Sequence, residues 1–552
     1  MFIRIKESPH NPKKKSVQIV ESVRDGNKVK QRIVRHVGIA LDDCELVKLK
    51  DLADLIKAKI EHEHTPSLFS PEEVAQQAIY SRQNEDENEL NVDLRKLKEE
   101  QRIVVGFHEA YGKIYEQLGF NSLLTSRHGV NCNEILKHIT ISRIANPSSK
   151  RESVRLLEED FGIHLDLNKV YRMMDKIDKD VILQIQKNAH QTTLGLFNNK
   201  IDVIFFDATT LYFESFEEDE LKQNGFSKDH KFNQAQVVLT LMVTKDGLPI
   251  GYDVFPGSTY EGTTLIKALD KIKNQYQIDK IVFVADAGML QEKNLSLLED
   301  AGYEYVICAR LKNLSKSWTS TILSQNFEEE KIKDLQFSDQ RRLILYYSQE
   351  RAYKENKDRE KAIEKLSKKL KKSKNALNLI SNYGYKKYIK SIGTTEVEIN
   401  EKRLIEEAKW DGICGLFTNS KNLTKEESIE HYKGLWQIEE SFRITKHDLK
   451  VRPIFHWTPE RIQAHIAIAF MSFCCVRLLE YRIKIQSGKL SPKEIQYALG
   501  KIQLSVLKDW QGQRYILPSK ITLEGKRIYQ ILGIKASATP YKLVSPKPKF
   551  NR

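Results

Sequence analysis

The sequence predicts an α/β protein in which a mixed sheet is flanked by helices and preceded by a mainly helical region. Residues 100–200 carry apolar residues at helical spacing. Between 201 and 310 the pattern changes to three strand-like runs, and the last two are joined by a hairpin turn at Lys245-Asp246-Gly247. Helices and strands then alternate up to residue 310, which indicates a sheet covered by helices.

The region before this sheet has two recognisable patterns. Residues 1–38 predict a hairpin, because the runs SVQIVESV and VKQRIVRHVG flank a turn at Asp25-Gly26. Residues 150–177 predict one helix, a break around Gly162, and a second helix from about Leu167. Such a pair can be a helix-turn-helix reader of DNA or a plain packing unit, and both interpretations stay open.

Composition limits the classes of function. A chain of 552 residues is too long for one core and predicts two to four domains. Its net charge of +14 favours a polyanionic partner. The start lacks the apolar region of a secretory signal, and the apolar run 466–476 is too short to span a bilayer. The six cysteines form no C-x-x-C pair, and no glycine-rich phosphate loop occurs. We therefore expect a cytoplasmic protein without a membrane segment or a nucleotide cofactor.

A helical segment at 432–446 carries an unusual mixture of side chains. At about 100° per residue, an arc of roughly 100° holds six residues: Tyr432, Leu435, Trp436, Glu439, Arg443 and Lys446. One carboxylate beside two cations, a Tyr and a Trp suits a metal ion held against a phosphate better than it suits a hydrophobic core. The alternative is an amphipathic helix whose charges form i,i+4 pairs.

Two distant aspartates favour the metal interpretation. Asp207 ends the apolar run VIFFD, and Asp286 ends the run VFVAD. Open α/β folds place their sites at the carboxyl ends of strands, although either aspartate alone could be a cap or turn residue. Together with Glu439 they offer three hard oxygen ligands for Mg²⁺. Two such ions can activate an attacking oxygen and stabilise the leaving one at phosphorus, while Arg443 and Lys446 hold DNA phosphates.

These residues resemble the DDE transposases of bacterial insertion sequences, in the insertion-sequence-four superfamily, whose signature is Y-x2-R-x3-E-x6-K. Tyr432, Glu439 and Lys446 match it in type and spacing, and Leu435 stands where Arg is usual. The spacing also selects Glu439 over the neighbouring Glu440. In addition, FFDATTLYFES resembles the motif of the first aspartate, and VFVADAGML resembles that of the second.

The resemblance implies an RNase H-like catalytic core with a β-rich insertion before the catalytic glutamate. It implies that Asp207, Asp286 and Glu439 bind Mg²⁺ or Mn²⁺, as two ions. The residues implied to contact DNA are Tyr432, Arg443, Lys446 and Trp318. For Trp318 the resemblance suggests a flipped base as partner, and a packing role is the alternative.

On this basis the chain divides into six regions. They are an N-terminal hairpin and linker region (1–95), a helical region that is a candidate for DNA binding (96–198), the first part of the RNase H-like core (199–310), the insertion domain (311–410), the second part of the core (411–485) and a basic C-terminal region (486–552).

The expected function is cut-and-paste transposition. The protein would bind the double-stranded inverted repeats of its own element, cut there, and join the ends to target DNA, as a homodimer in a paired-end complex near the bacterial nucleoid. Two alternatives are a domesticated DNA-binding protein without catalysis and a metal-dependent nuclease that does not join ends. A third, sugar hydrolysis by paired carboxylates, does not explain the cationic stripe.

Overall fold

The computed structural model of the chain describes residues 1–8, 11–25, 28–40, 43–64, 92–124, 132–197, 201–213, 217–225, 234–260, 263–265, 267, 271, 282–285, 292–372, 387–392, 396–452 and 454–543. The chain divides into two units. The first comprises Met1–Met173 and Cys475–Arg552, and the second comprises Met174–Cys474.

The described part of the chain contains both strands and helices, and helices alone occupy its stretch from Gly106 to Leu196. The strands are β1 Phe2–Ser8, β2 Asn11–Asp25, β3 Lys28–Ala40, β4 Lys98–Val104, β5 Val203–Tyr212, β6 Gln236–Thr244, β7 Pro249–Pro256, β8 Val282–Ala285, β9 Glu304–Cys308, β10 Ile332–Ser338, β11 Arg341–Tyr347, β12 Ile389–Ile392, β13 Glu396–Ile399, β14 Ile413–Thr418, β15 Gln503–Lys508, β16 Arg514–Pro518 and β17 Tyr541–Lys542. The α-helices are α1 Asp43–His64, α2 Gly106–Gln117, α3 Cys132–Ala145, α4 Lys150–Phe161, α5 Leu167–Met174, α6 Lys179–Leu196, α7 Glu292–Asp300, α8 Lys316–Leu323, α9 Gln349–Lys372, α10 Glu401–Ala408, α11 Lys425–Lys433, α12 Trp436–Arg443, α13 Pro459–Ser487, α14 Pro492–Gly500 and α15 Leu523–Leu532. A π-helix, Ile444–Asp448, follows α12 directly.

The first unit begins with a three-stranded antiparallel sheet of order β1-β2-β3, against which α1 packs. The long pairing of β2 with β3, which starts at Asp25↔Lys28, confirms the predicted hairpin. Val17, Ile19 and Ala40 form the contact with the helix and are fully or almost fully buried. A second sheet of this unit, β17-β16-β15-β4, joins strands from the two ends of the sequence.

The helices α4 and α5 confirm the predicted break. Ser149 caps α4 by accepting a hydrogen bond from the Glu152 backbone N–H, and α4 ends at Gly162 in the left-handed conformation with φ +67°. α5 then begins at Leu167, as predicted. Both helices direct buried residues into the core of their unit: Leu157, Phe161, Val170 and Met173. A role of this pair in reading DNA stays a prediction.

The second unit contains an eight-stranded mixed sheet of order β10-β11-β14-β9-β8-β5-β6-β7. One end of the sheet is an antiparallel meander, β5-β6-β7, with β7 at the edge; β8 then pairs parallel to β5, and β9 pairs parallel to β8. This order and these directions are those of the RNase H-like fold, and the predicted fold class is confirmed. β10 and β11, from the region predicted as an insertion, extend the same sheet through β14.

Both faces of this sheet are covered. Ile204, Phe206 and Ala208 of β5 point to a large core that includes residues of α7, β9 and β11. The alternate residues of β5 point to the other face, because successive side chains of a strand lie on opposite sides. There α12 contacts β5 and β6. Burial on both faces explains why β5 is a nearly continuous apolar run.

The edge extension is fastened to the core by a buried ion pair. Arg341, the first residue of β11, donates from Nε and Nη2 to the two carboxylate oxygens of Glu299 on α7, at 2.6 and 2.9 Å. Tyr305 donates its hydroxyl to the same carboxylate at 2.7 Å. Both charged side chains are about 90% buried, so removing either one would leave an unpaired buried charge and destabilise the fold. The bidentate pair holds β11 to α7.

The predicted buried helix around 466–476 is confirmed and extends further than the apolar run. Within the described residues, α13 is 29 residues long and apolar enough to cross a bilayer, but 94% of its most apolar window is buried inside the protein. It is therefore a core helix of this fold.

We predict that buried His108 makes the first unit sensitive to mild acid. Burial, with the nearby charges of His138 and Lys137, lowers the pKa of His108 to about 3, and its ring packs 4.9 Å from that of Phe161. The unfolded chain binds this proton near pH 6.5 and the folded chain does not, so stability falls as the pH drops below 6.5. His108→Leu should remove about 1 kcal/mol of the stability lost between pH 7.0 and 5.5 in urea unfolding. Equal pH dependence of unfolding in the wild-type protein and in His108→Leu would contradict the assignment.

Candidate functional site

Asp207 lies in the middle of β5, whereas the sequence predicted it at the end of a strand. The prediction was wrong because the β-branched and aromatic residues after it continue the strand, which pairs with β6 from Ile204 to Tyr212. The side chain is half-buried, and its Oδ1 accepts a hydrogen bond from the Ala208 backbone N–H at 2.7 Å. Asp207 shares a face of the sheet with Phe205, the face that α12 covers.

The second predicted aspartate, Asp286, lies outside the described residues. β8 is described up to Ala285, and it runs parallel to β5 with Val284 paired to Phe205. In sequence, Asp207 follows Phe205 by two residues, and Asp286 follows Val284 by two residues. Within the described part of the chain, no three His, Cys, Asp or Glu side chains are grouped closely enough to hold a metal ion.

The segment 432–446 is not one regular helix, and the prediction of a single helical stripe was wrong. α11 begins with a capping box in which Thr424 and Glu427 satisfy each other's backbone N–H groups, and it ends at Gly434. α12 begins after Leu435, and the π-helix replaces the α-helix from Ile444. The wider turn changes the angle between residues, so an arc calculated at 100° per residue does not hold to Lys446. Short π segments in helices are frequent at functional sites.

The absence of a side chain at Gly434 lets the start of α12 lie directly on β5. A Cβ atom built at Gly434 would stand 2.6 Å from Cζ of Phe205, whose ring is 1% exposed. Such a distance is far below van der Waals contact, and the buried ring has no free space to retreat into. The helix that carries Glu439 is therefore packed against the strand that carries Asp207, two residues from that aspartate.

The two adjacent glutamates of α12 have different surroundings. Glu440 accepts two hydrogen bonds from Arg443, from Nε and Nη2, both at 2.7 Å. Asp448 of the π-helix accepts a third from Arg443 Nη1 at 3.0 Å. The bonds to Glu440, and then the charge of Asp448, raise the pKa of Arg443 above its ordinary value. Glu439 is exposed, and the arrangement supports the spacing argument that separates it from Glu440.

The remaining predicted residues of this segment lie on three different elements. Tyr432 belongs to α11 and is half-buried, and Lys446 belongs to the π-helix and is half-buried. Leu435, at the position where the signature has Arg, is only 8% exposed, which accounts for an apolar residue there. Trp436 belongs to α12 and is 49% exposed.

Trp318 lies on the opposite face of the sheet from Asp207. It is on α8, and its ring packs 4.8 Å from that of Phe337, which in turn contacts Phe417 in the core. Trp318 belongs to the hydrophobic cluster that contains Phe206 of β5. These contacts support a packing role, the alternative to the predicted base contact.

The structure shows one group of residues that sequence reasoning missed, beyond the end of β5. Phe213 follows β5 directly and forms a parallel bridge with Ile454. Near this bridge the side chains of Phe455 and Trp457 are exposed, and Lys222 stands over the Trp457 ring. The available signal in the sequence was the alternation F-H-W at 455–457, which predicts two aromatic side chains on one side of an extended segment.

Two family models match the sequence. A model described as "Transposase DDE domain" matches residues 198–475, and one described as "IS1634 family transposase, N-terminal domain" matches residues 3–66. The first match includes Asp207, Asp286 and Glu439 and covers half of the chain.

Comparisons with individual proteins add little. No curated protein sequence matches this chain significantly. Among solved structures, a piggyBac transposase synaptic complex with hairpin DNA is 8% identical with a TM-score of 0.38, covering 72% of this chain and 79% of that one. A Mos1 transposase paired-end complex with the left transposon end is 10% identical with a TM-score of 0.14, covering 47% and 77%. Similarities this low carry no weight beside the family match and the strand order.

We predict that Gly434→Ala destabilises the second unit by about 1–3 kcal/mol, because the added methyl group overpacks the contact with Phe205. In a Phe205→Leu background the cost of Gly434→Ala should fall by about 1 kcal/mol, since the shorter side chain removes the clash. Urea unfolding of the four proteins measures this coupling.

The matched control is Gly195→Ala in α6, where no atom lies within 4 Å of the added Cβ atom. That change should be neutral or stabilise by about 0.5 kcal/mol. Additive effects of the changes at positions 434 and 205 would show that the close approach does not hold the helix on the strand.

Proposed function

The chain belongs to the DDE transposases of bacterial insertion sequences, and on that premise we propose that it cuts and joins DNA at the ends of its own element. The observation that carries this proposal is the packing of α12 on β5 at Gly434 and Phe205, which joins the elements of Glu439 and Asp207. In an RNase H-like core with β8 beside β5, this arrangement supports a site built from carboxylates of three elements.

We propose that Asp207, Asp286 and Glu439 hold Mg²⁺ or Mn²⁺, as two ions. The donor set fits because carboxylate oxygens are the ligands that these hard cations prefer. The half-buried position of Asp207 and the exposed position of Glu439 leave room for a phosphate from solvent. When bound, such ions polarise a phosphoryl oxygen and stabilise the charge that develops during in-line displacement.

The protein's own residues orient the DNA strand and the carboxylates. Lys446 would bind a backbone phosphate, and the hydroxyl of Tyr432 would donate a hydrogen bond to the transposon end. Arg443 bridges Glu440 and Asp448, and thereby couples α12 to the π-helix. A guanidinium has five N–H donors, so Arg443 can hold both carboxylates and still contact a phosphate. We therefore propose that Arg443 positions α12 in addition to contacting DNA.

The proposed partners are the double-stranded inverted repeats of the element and then a target DNA. The net charge of +14 supports a polyanionic partner. Cutting at both ends requires coordination, so we propose a homodimer in a paired-end complex, acting in the bacterial cytoplasm at the nucleoid. The alternatives, a nuclease that does not join ends and a DNA-binding protein without catalysis, are distinguished by the outcome of one assay.

We predict that Glu439→Gln retains binding to duplexes that carry the terminal inverted repeats and loses cleavage by about 100-fold or more, because an amide no longer supplies the charge. Glu440→Gln is the matched control on the next residue. Since it removes a partly exposed ion pair, it should lower cleavage by less than about tenfold. The measurement is a Mg²⁺-dependent cleavage and strand-transfer assay with the element's own ends.

The same assay separates the alternatives. Cleavage without joining in the wild-type protein would support a nuclease, and end binding without cleavage would support a non-catalytic protein. Cleavage that survives Glu439→Gln and disappears in Glu440→Gln would reverse the assignment of the two glutamates.

We predict that Lys446→Ala weakens binding to the transposon end and lowers the slope of log affinity against log salt by about 0.9, the value for one lost phosphate contact. Lys433→Ala, an exposed change at the end of α11, should leave that slope unchanged. Fluorescence anisotropy of a labelled end duplex across a salt series measures both. A parallel loss of slope in the two variants would show only a general charge effect.

A further inference from the structure

We propose that the paired strands β2 and β3 of the first unit enter the major groove of double-stranded DNA and contact base edges there. We define the hairpin arm as the part of this pair that extends beyond β1, residues 21–25 and 28–32. The proposal rests on the proposed function for its DNA, and it assigns recognition of that DNA to residues that are not part of the carboxylate site.

The hairpin arm extends from its sheet as two strands. β1 pairs with β2 only as far as Val20, whereas β2 and β3 remain paired for five more residue pairs, the last of which is Asp25↔Lys28. At about 3.4 Å per residue, these pairs add about 17 Å of ribbon. Of the described side chains of the arm, all but that of Glu21 are exposed. The major groove is about 12 Å wide and about 8.5 Å deep and admits a two-stranded ribbon, so the arm is long enough to reach its floor.

Half of the protein's net charge lies in the sequence of these strands. Residues 1–40 contain ten Lys and Arg against three Asp and Glu, a net charge of +7 within the total of +14. Helix α1, which packs on one face of the sheet, carries four Lys against six Asp and Glu. The positive charge therefore belongs to the strands and not to the helix that covers them. Such a concentration of charge favours a polyanionic partner.

The two faces of the sheet differ in charge. α1 covers the face to which Val17 and Ile19 point. Both carboxylates among the described side chains of the three strands, Glu7 and Glu21, belong to that same face, because alternate residues of a strand share a side. On the opposite face the described side chains include cations and amides and no carboxylate. These cations and amides are Arg4, Lys6, Gln18, Arg24 and Gln31. A phosphate backbone can therefore approach this face without meeting a like charge.

The opposite face presents the groups that read base edges. Arg4 joins its strands by donating from Nη2 to Oε1 of Gln18 at 2.8 Å and from Nη1 to Oε1 of Gln31 at 2.9 Å. In the arm, Arg24 is exposed and lies directly opposite Val29, which is 67% exposed. A guanidinium binds the major-groove edge of guanine, and an aliphatic side chain contacts the methyl group of thymine. The pair of Arg24 and Val29 thus offers one contact of each kind.

The test is dimethyl sulfate footprinting of the full-length protein on a duplex that carries the terminal inverted repeat, without metal ion. This reagent methylates guanine N7 in the major groove and adenine N3 in the minor groove, so it reports the two grooves separately. Arg24→Ala should lose the protection of guanine N7 that the wild-type protein gives within one helical turn. Fluorescence anisotropy should show binding weakened about 5- to 150-fold, the range for loss of one bidentate base contact.

Two further variants separate a base contact from a general effect of charge. Arg24→Lys keeps the charge and loses the bidentate geometry, so it should bind a random-sequence duplex as before and lose its preference for the element's end. An unchanged preference would show a phosphate contact and overturn the proposed base contact. Lys50→Ala, the matched control, removes one positive charge from α1, on the other side of the sheet. It should leave the footprint and the affinity as in the wild-type protein.

Other results have a defined meaning. An unchanged footprint in Arg24→Ala, or equal losses in Lys50→Ala, would overturn the proposal. Changes confined to adenine N3 would place the arm in the minor groove and would also overturn it. Loss of self-association in Arg24→Ala by analytical ultracentrifugation, with DNA binding intact, would show a contact with a second copy of the chain, with the same consequence. A footprint that depends on Arg24 in a protein unable to cleave its ends would support the proposal and count against the proposed function alone.

Discussion

The close packing of α12 against β5 is the constraint on which the candidate site depends. Gly434 and Phe205 approach so closely that any side chain at position 434 would overlap a ring with no space to move. This contact places a helix with an exposed glutamate on the strand that carries Asp207. α12 covers β5 and β6 on one face of the sheet, and the large core covers the other face. The fold and the candidate site therefore share one packing requirement.

Charge partners distinguish the residues of α12 that maintain its structure from those available to a substrate. Arg443 holds Glu440 on its own helix and Asp448 on the π-helix, so three charged side chains are engaged with one another. A bidentate guanidinium–carboxylate pair is directional, and it restrains the transition from α-helix to π-helix. Glu439, next in sequence to Glu440, points to solvent. The local network thus gives two neighbouring glutamates different surroundings.

Much of the fold could be predicted because the relevant signals are local. Apolar runs, turns such as Lys245-Asp246-Gly247 and the break at Gly162 depend on residues close in sequence, and each was found where it was predicted. The helical stripe at 432–446 failed for the opposite reason. α11 ends at Gly434, where the close approach of a distant strand leaves no space for a side chain. The π-helix then changes the periodicity that the calculation assumed.

The sequence by itself determined most of the strand-helix pattern and the family signature, and it predicts Asp207, Asp286 and Glu439 as the site, since these follow from residue type and spacing. Only the tertiary structure decided which aromatic and cationic residues are available to a ligand. Trp318 is partly buried and packs against the core, whereas Trp457 is mostly exposed. Leu435 replaces a cation at a buried position, and Arg443 has two carboxylate partners. Exposure depends on contacts between segments far apart in the chain, and no local pattern specifies it. The partners of Arg443 are close in sequence, three and five residues away, but which of the nearby carboxylates it binds depends on the change from α-helix to π-helix.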